Sequence, residues 1–172
     1  MIAIFAKQLI KQMDAERVRH VPTETGGFLV GLRRGLSIEV TDVTTQSQLD
    51  VATRSSFYRA DPAHRTAILQ AWVSSAKTKC LIGDWHTHPN GSTNPSRSDL
   101  EAWRVVERSC RQPVVGVIDS GRSRPTVFAA CSQFKKFAIQ MHVVEECRDF
   151  LTYACDAANN ANRAGAIFGQ QH

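Results

Sequence analysis

The chain of 172 residues has 42% apolar and 22% charged residues and a formal net charge of +5. These proportions exclude a collagenous, disulfide-stapled or largely disordered chain, and nothing in it repeats, so the length is most simply one domain over residues 1–172. The basic residues come as scattered pairs, Arg33–Arg34 and Lys135–Lys136, without interleaved aromatics; a solvated surface is favoured over a nucleic-acid groove.

The apolar opening MIAIF gives way at once to lysines. It is neither a secretory leader nor a membrane span, and a cytoplasmic location is expected. Five cysteines, at 80, 110, 131, 147 and 155, form an odd set without C-x-x-C spacing, which reads as reduced core thiols.

From Ala6 to about Arg19, Leu9, Ile10 and Met13 recur at helical spacing. The apolar run from Gly27 to Leu32 and the alternating SIEVTDV predict two strands joined by a turn at 31–35, and residues 44–58 are polar and aperiodic, hence a loop. Asp61 and Pro62 open a helix in which Ile68, Leu69, Trp72, Val73 and Ala76 trace a stripe. CLIGDW is a strand and PNGSTNPS a turn-rich stretch. A helix from Arg97 to about Cys110, short strands near 114–118 and 126–131, and a strand in FAIQMHV follow. The spacing of Cys147, Phe150, Leu151 and Ala154 predicts a last helix over about 145–161, with a disordered tail at about 160–172. Helices interleaved with strands and hairpins indicate an α/β sandwich whose sheet is not all parallel.

The chemistry concentrates in HTHPNGSTNPSRSD. Residues i and i+2 of a strand point the same way, so His86 and His88 present both imidazoles on one face. Pro89 ends that strand, and the turn after it lets the chain double back and bring Asp99 to the same point. Two histidines and a carboxylate are the usual make-up of a catalytic zinc site that keeps one position for water. The same Ser96 and Asp99 also form S-x-x-D, a helix capping box, and the two readings are partly compatible. His20, His64, His142 and His172 are single and read as structural, and Trp85, on the opposite side of the strand, as core. A metal-activated water needs a proton acceptor, for which Glu24 is the candidate, although spacing alone gives no reason to place it near His86.

ETGGFLVG followed downstream by HTHPNGSTNPSRSD resembles the signature of the JAMM (JAB/MPN+) zinc metalloproteases: a glutamate, then H-x-H-P, six residues, and S-x-x-D. The resemblance spans Glu24 to Asp99. It implies an α/β single domain with a central mixed β-sheet flanked by helices, the MPN/JAB-like, cytidine-deaminase-like sandwich. It implies that His86, His88 and Asp99 hold Zn2+, that Glu24 moves the proton of the attacking water to the leaving amine, and that Ser96 donates to the oxyanion. The implied substrate is the bond after the C-terminal glycine of a ubiquitin-like protein, gripped through residues 44–58 and 119–125. GDWHTHP and FYRADPAHRTAILQAW look most like the bacterial branch, whose members accompany E1-like and E2-like partners in antiphage operons. A non-catalytic binding module and a DNA-associated protein are the alternatives.

Overall fold

The computed structural model describes residues 1–155. In chain order the elements are β1 (Ile2–Ala6), α1 (Lys7–His20), β2 (Gly26–Arg34), β3 (Ser37–Val43), β4 (Val51–Ala52), β5 (Phe57–Tyr58), α2 (Ala63–Ser74) and β6 (Cys80–Thr87). They continue with α3 (Arg97–Cys110), β7 (Val114–Asp119), β8 (Thr126–Ala130), β9 (Ala138–Gln140), β10 (His142–Glu146) and β11 (Phe150–Ala154). A nine-stranded mixed sheet runs β10-β11-β1-β3-β2-β6-β7-β8-β9. The β1–β3 and β6–β7 pairs are parallel and the rest antiparallel.

The sheet curls until its ends meet. β9 and β10 stand at opposite ends of the strand order, yet only Met141 separates them in the chain, and Met141 N–H still donates to the Val127 carbonyl at 2.8 Å. The expected strand in FAIQMHV is thus a bent run that pairs first with β8 and then with β11. Inside the curl lies the main core, where Leu9 and Met13 of α1 pack with Phe5, Leu29, Ile82, Trp85, Val115 and Val117. On the outer face α3 buries Trp103 against Val114, Ile118 and Phe128. Gly116 makes that approach possible, since a Cβ there would meet the Trp103 ring at 2.1 Å.

Several expectations need correction. The helix expected over 145–161 is, as far as residue 154, the strands β10 and β11. Leu151 and Tyr153 alternate inward along β11 and pair with β1, so a period of two prevails over the helical spacing. Its remainder, the expected tail at 160–172 and His172 lie outside the described residues. The opening MIAIF, read only for what it excludes, is β1, and the loop at 44–58 contains the short β4–β5 hairpin. The stripe on α2 does not bury that helix: Leu69 is 50% and Val73 67% exposed, and the residue that α2 buries is His64. No disulfide joins any of the five cysteines; Cys131 and Cys155 are buried, but Cys147 is exposed and so is not a core thiol. No helix among the described residues is long and apolar enough to cross a membrane.

Candidate metal centre

The outer face of β6 presents Asp84, His86 and, just beyond the strand, His88. His86 and His88 are buried, and their rings meet edge to face, with the two Nε2 atoms 3.0 Å apart. His88 is held at its base: Nδ1 lies 3.1 Å from the Ser92 carbonyl oxygen, and its backbone N–H donates to the Asp119 carbonyl. An Nδ1–H bonded to a carbonyl leaves the Nε2 lone pair aimed into the site.

Asp99 arrives from the first turn of α3, where S-x-x-D forms the capping box and leaves the carboxylate beside the two imidazoles. Ser96 N–H donates to Asp99 Oδ2 at 2.6 Å, and Asp99 N–H donates to Ser96 Oγ at 3.2 Å, a complete capping box. The same carboxylate stands 3.3 Å from His86 Nε2 through Oδ1 and 3.5 Å from His88 Nε2 through Oδ2. Among the described residues, His86, His88 and Asp99 form a group able to hold a metal ion.

The donor set fits zinc. Ligands at about 2.0–2.1 Å in a tetrahedron stand about 3.3 Å from one another, and the three separations here bracket that value. Two lone-pair nitrogens converging beside a carboxylate need a shared cation or proton between them. Burial opposes ionisation of Asp99, but the two imidazoles and Ser96 outweigh it and hold the carboxyl far below the ordinary range. Burial likewise disfavours protonated His88, yet Asp99, Glu24 and the Ser92 carbonyl raise it above an ordinary imidazole.

Glu24 reaches this centre through strand register. Gly26 of β2 lies directly opposite His86 of β6. The pairing extends past the strand ends, with Thr87 N–H donating to the Thr25 carbonyl at 2.8 Å and Thr25 N–H to Thr87 Oγ1 at 2.9 Å. Glu24 is buried and lines, with Phe57, Arg59, Asp84, His86 and Asp99, a cleft of about 60 Å³. Desolvation raises its pKa, against the opposing pull of His86 and His88. Ser98 also lines the cleft, whereas Ser96 sits beside it, its Oγ 2.8 Å from that of Ser98.

Residues 44–58 do reach the site, through Ser55, Ser56 and Phe57 in the cleft wall. Residues 119–125 border a different cavity, beside Lys11, Asp14 and Arg17 of α1. His64 is structural as expected: Nε2 is 2.8 Å from Asp50 Oδ2 and Nδ1 is 2.7 Å from Thr44 Oγ1. His20 lies 3.4 Å from Glu16. Trp85 is fully buried, its indole N–H donating to the Thr44 carbonyl. The residue that sequence reasoning passed over is Arg59, half-buried among the site's strands; the arginine between an aromatic pair and Asp61–Pro62 is the only signal it gave.

A β-strand carrying H-x-H, a helix N-terminus carrying the carboxylate and a glutamate brought in by strand register converge on one group able to hold a metal ion, and residues 6–132 match the prokaryotic homologs of the JAB domain. The chain belongs to that family. It is 29% identical over 119 residues to a "CD-NTase/cGAS isopeptidase" of Vibrio cholerae serotype O1, covering 67% of this chain and 76% of that one. It is 32% identical over 97 residues to a protein of the same name from Pseudomonas aeruginosa, covering 55% and 61%. It is 27% identical over 145 residues to the "probable metalloprotease y4qB" of Sinorhizobium fredii, covering 81% and 88%. The solution structure of protein DSY2949 from Desulfitobacterium hafniense shares the fold, with a TM-score of 0.61 at 18% identity over 84% of this chain and 92% of that one.

Proposed function

We propose that this chain is a zinc-dependent isopeptidase of a bacterial defence system. In this reading it cuts the bond after the C-terminal glycine of a ubiquitin-like modifier attached to a CD-NTase-type protein. The observation that carries the reading is the convergence of His86 Nε2, His88 Nε2 and Asp99 at tetrahedral spacing beside buried Glu24. The names of the relatives support the substrate class, and E1-like and E2-like proteins of the same operon would supply the conjugate.

His86, His88 and Asp99 would hold the zinc, which when bound would supply Lewis acidity to a water and to the scissile carbonyl. Glu24 receives the proton of the attacking water and passes it to the leaving amine. Its burial suits both halves of that task, because a carboxyl whose pKa is raised holds a proton long enough to deliver it. Either hydroxyl of the Ser96–Ser98 pair can be the donor; when Ser98 donates, the Ser96 O–H is free for the developing oxyanion. A cleft of about 60 Å³ has room for water and for little more than a residue without a side chain, which suits a terminal glycine.

The test is purified, zinc-loaded protein incubated with a CD-NTase carrying an isopeptide-linked ubiquitin-like modifier. Wild type releases the modifier, whereas Glu24→Gln keeps its zinc and loses about 10²- to 10⁴-fold in rate. Equal cleavage by Glu24→Gln refutes its role. A zinc-replete wild type that cleaves nothing points instead to a partner-binding module.

A further inference from the structure

Arg59 makes no hydrogen bond to a residue that the proposed mechanism uses, although it shares the cleft with Glu24 and its charge acts on that carboxyl. Its Nε donates to the Gly27 carbonyl at 2.9 Å and its Nη2 to the Trp85 carbonyl at 2.7 Å. Gly27 and Trp85 are directly opposed across the β2–β6 ladder, one step along from the Gly26–His86 pair, so a single guanidinium straddles both strands. Nη1 lies 3.3 Å from Asp84 Oδ2, and the other Asp84 oxygen accepts the Trp103 indole N–H at 2.7 Å. The guanidinium also stands 5.3 Å from the ring centres of both Phe28 and Phe57. Asp84 and Trp103 are buried, and charges removed from water persist only when they are paired and hydrogen-bonded in this way.

Each contact lands next to a member of the centre. Trp85 precedes His86, Gly27 follows Glu24 by three residues on the same strand end, and Trp103 lies about one helical turn after Asp99 on α3. The three elements that deliver the centre are thus tied to one another by a continuous Arg59–Asp84–Trp103 chain. We propose that Arg59, Asp84 and Trp103 act as a positioning brace, with Arg59 as its hub, that sets the spacing of Glu24 and Asp99 about the His86–His88 pair. The planar fork of arginine is what the arrangement requires: three acceptors on two strands lie within reach of one rigid group, whereas the point charge of lysine cannot satisfy them all. Partners that orient a metal site in this way govern affinity as well as rate. The inference rests on the isopeptidase reading for its turnover readout alone.

The test compares wild type with Arg59→Lys, Trp103→Phe and the double variant, all metal-stripped, folded by near-ultraviolet circular dichroism and held well below their melting temperatures. Zn2+ affinity is measured by competition with a chromogenic chelator, and kcat and KM with the conjugate described above. Each single change is expected to weaken Zn2+ binding roughly 10-fold and to lower kcat by a similar factor with KM unchanged. The double variant should be no worse than the worse single one, since both break one connected unit. Trp103→Phe removes the indole N–H together with part of the ring that lies against Gly116, so its lost packing is read separately from its melting temperature, and it carries the test should Arg59→Lys fail to fold. Zn2+ affinities within about twofold of wild type, or effects of the two changes that multiply, overturn the brace. A wild type that binds Zn2+ but cleaves nothing refutes the isopeptidase reading alone and leaves affinity to decide the brace; a wild type that binds no Zn2+ overturns both.

Discussion

Replacing Gly26 by alanine would place a methyl group 2.4 Å from the Trp85 carbonyl oxygen and 3.0 Å from His86 Cα. Both obstacles are backbone, so no side chain can turn away, and because a Cβ essentially never approaches a heavy atom closer than 3.0 Å, β2 and β6 must part by at least about 0.6 Å. The shift falls at the register position that brings Glu24 to His86. Overpacking of this kind costs about 1–3 kcal/mol of stability, and displacing reacting groups by about 1 Å costs on the order of 100-fold in rate. Gly26→Ala should therefore melt at a lower temperature, bind zinc more weakly and turn over roughly 10- to 100-fold more slowly. Gly35→Ala is the control: its φ of +63° strains any side chain, but nothing lies within 4 Å, so it should lose about 1 kcal/mol of stability with zinc binding intact. Thermal melts, zinc titration and conjugate cleavage on the pair decide the matter. If Gly26→Ala binds zinc and turns over as Gly35→Ala does, the register argument is wrong.

Asp99→Asn keeps an oxygen for the Ser96 N–H but no charge for a metal; the helix should lose less than about 1 kcal/mol while zinc no longer co-purifies, as metal analysis and melting curves will show. The raised pKa of His88 gives the metal-free protein stability that is complete below an ordinary imidazole pKa of about 6.5 and is lost as pH rises through the folded value. Zinc must displace that proton, so affinity should climb with pH through the same range, and calorimetry in two buffers of different ionisation heat should record proton release near neutrality; a proton count of zero there contradicts the assignment. The depressed Asp99 acts oppositely, contributing above the ordinary carboxyl range of about 4 and losing its contribution as pH falls through the folded value. His64→Leu should cost about 1–3 kcal/mol by removing one hydrogen bond each from Asp50, which keeps the Ser47 and Asp61 N–H groups, and from Thr44 Oγ1, yet leave zinc content unchanged; a chain that loses its zinc would make His64 more than structural.

The half of the centre held within residues 86–99 is legible in the sequence because local geometry writes it there. Strand alternation sets His86 beside His88, and a capping box sets Asp99 at the third position of α3. Glu24 is different. Its place depends on the pairing of Gly26 with His86, sixty residues apart, which no local pattern encodes. Arg59 escapes for a related reason, since its acceptors are backbone carbonyls whose availability depends on how two strands meet. The α2 stripe and the expected C-terminal helix show the limits of periodicity. Leu69 and Val73 repeat at helical spacing while remaining exposed, and Leu151 and Tyr153 are two apart in a strand, a pattern that cysteine and phenylalanine beside them obscured.

β1 sits between β3 and β11. During synthesis, therefore, β1 lacks one of its two neighbours until Phe150–Ala154 has emerged, and its apolar residues must be shielded meanwhile. Pairings of such long sequence separation make for slow, late acquisition of structure. Shortened chains ending before residue 150 should accordingly accumulate as aggregates instead of as smaller folded versions of the domain.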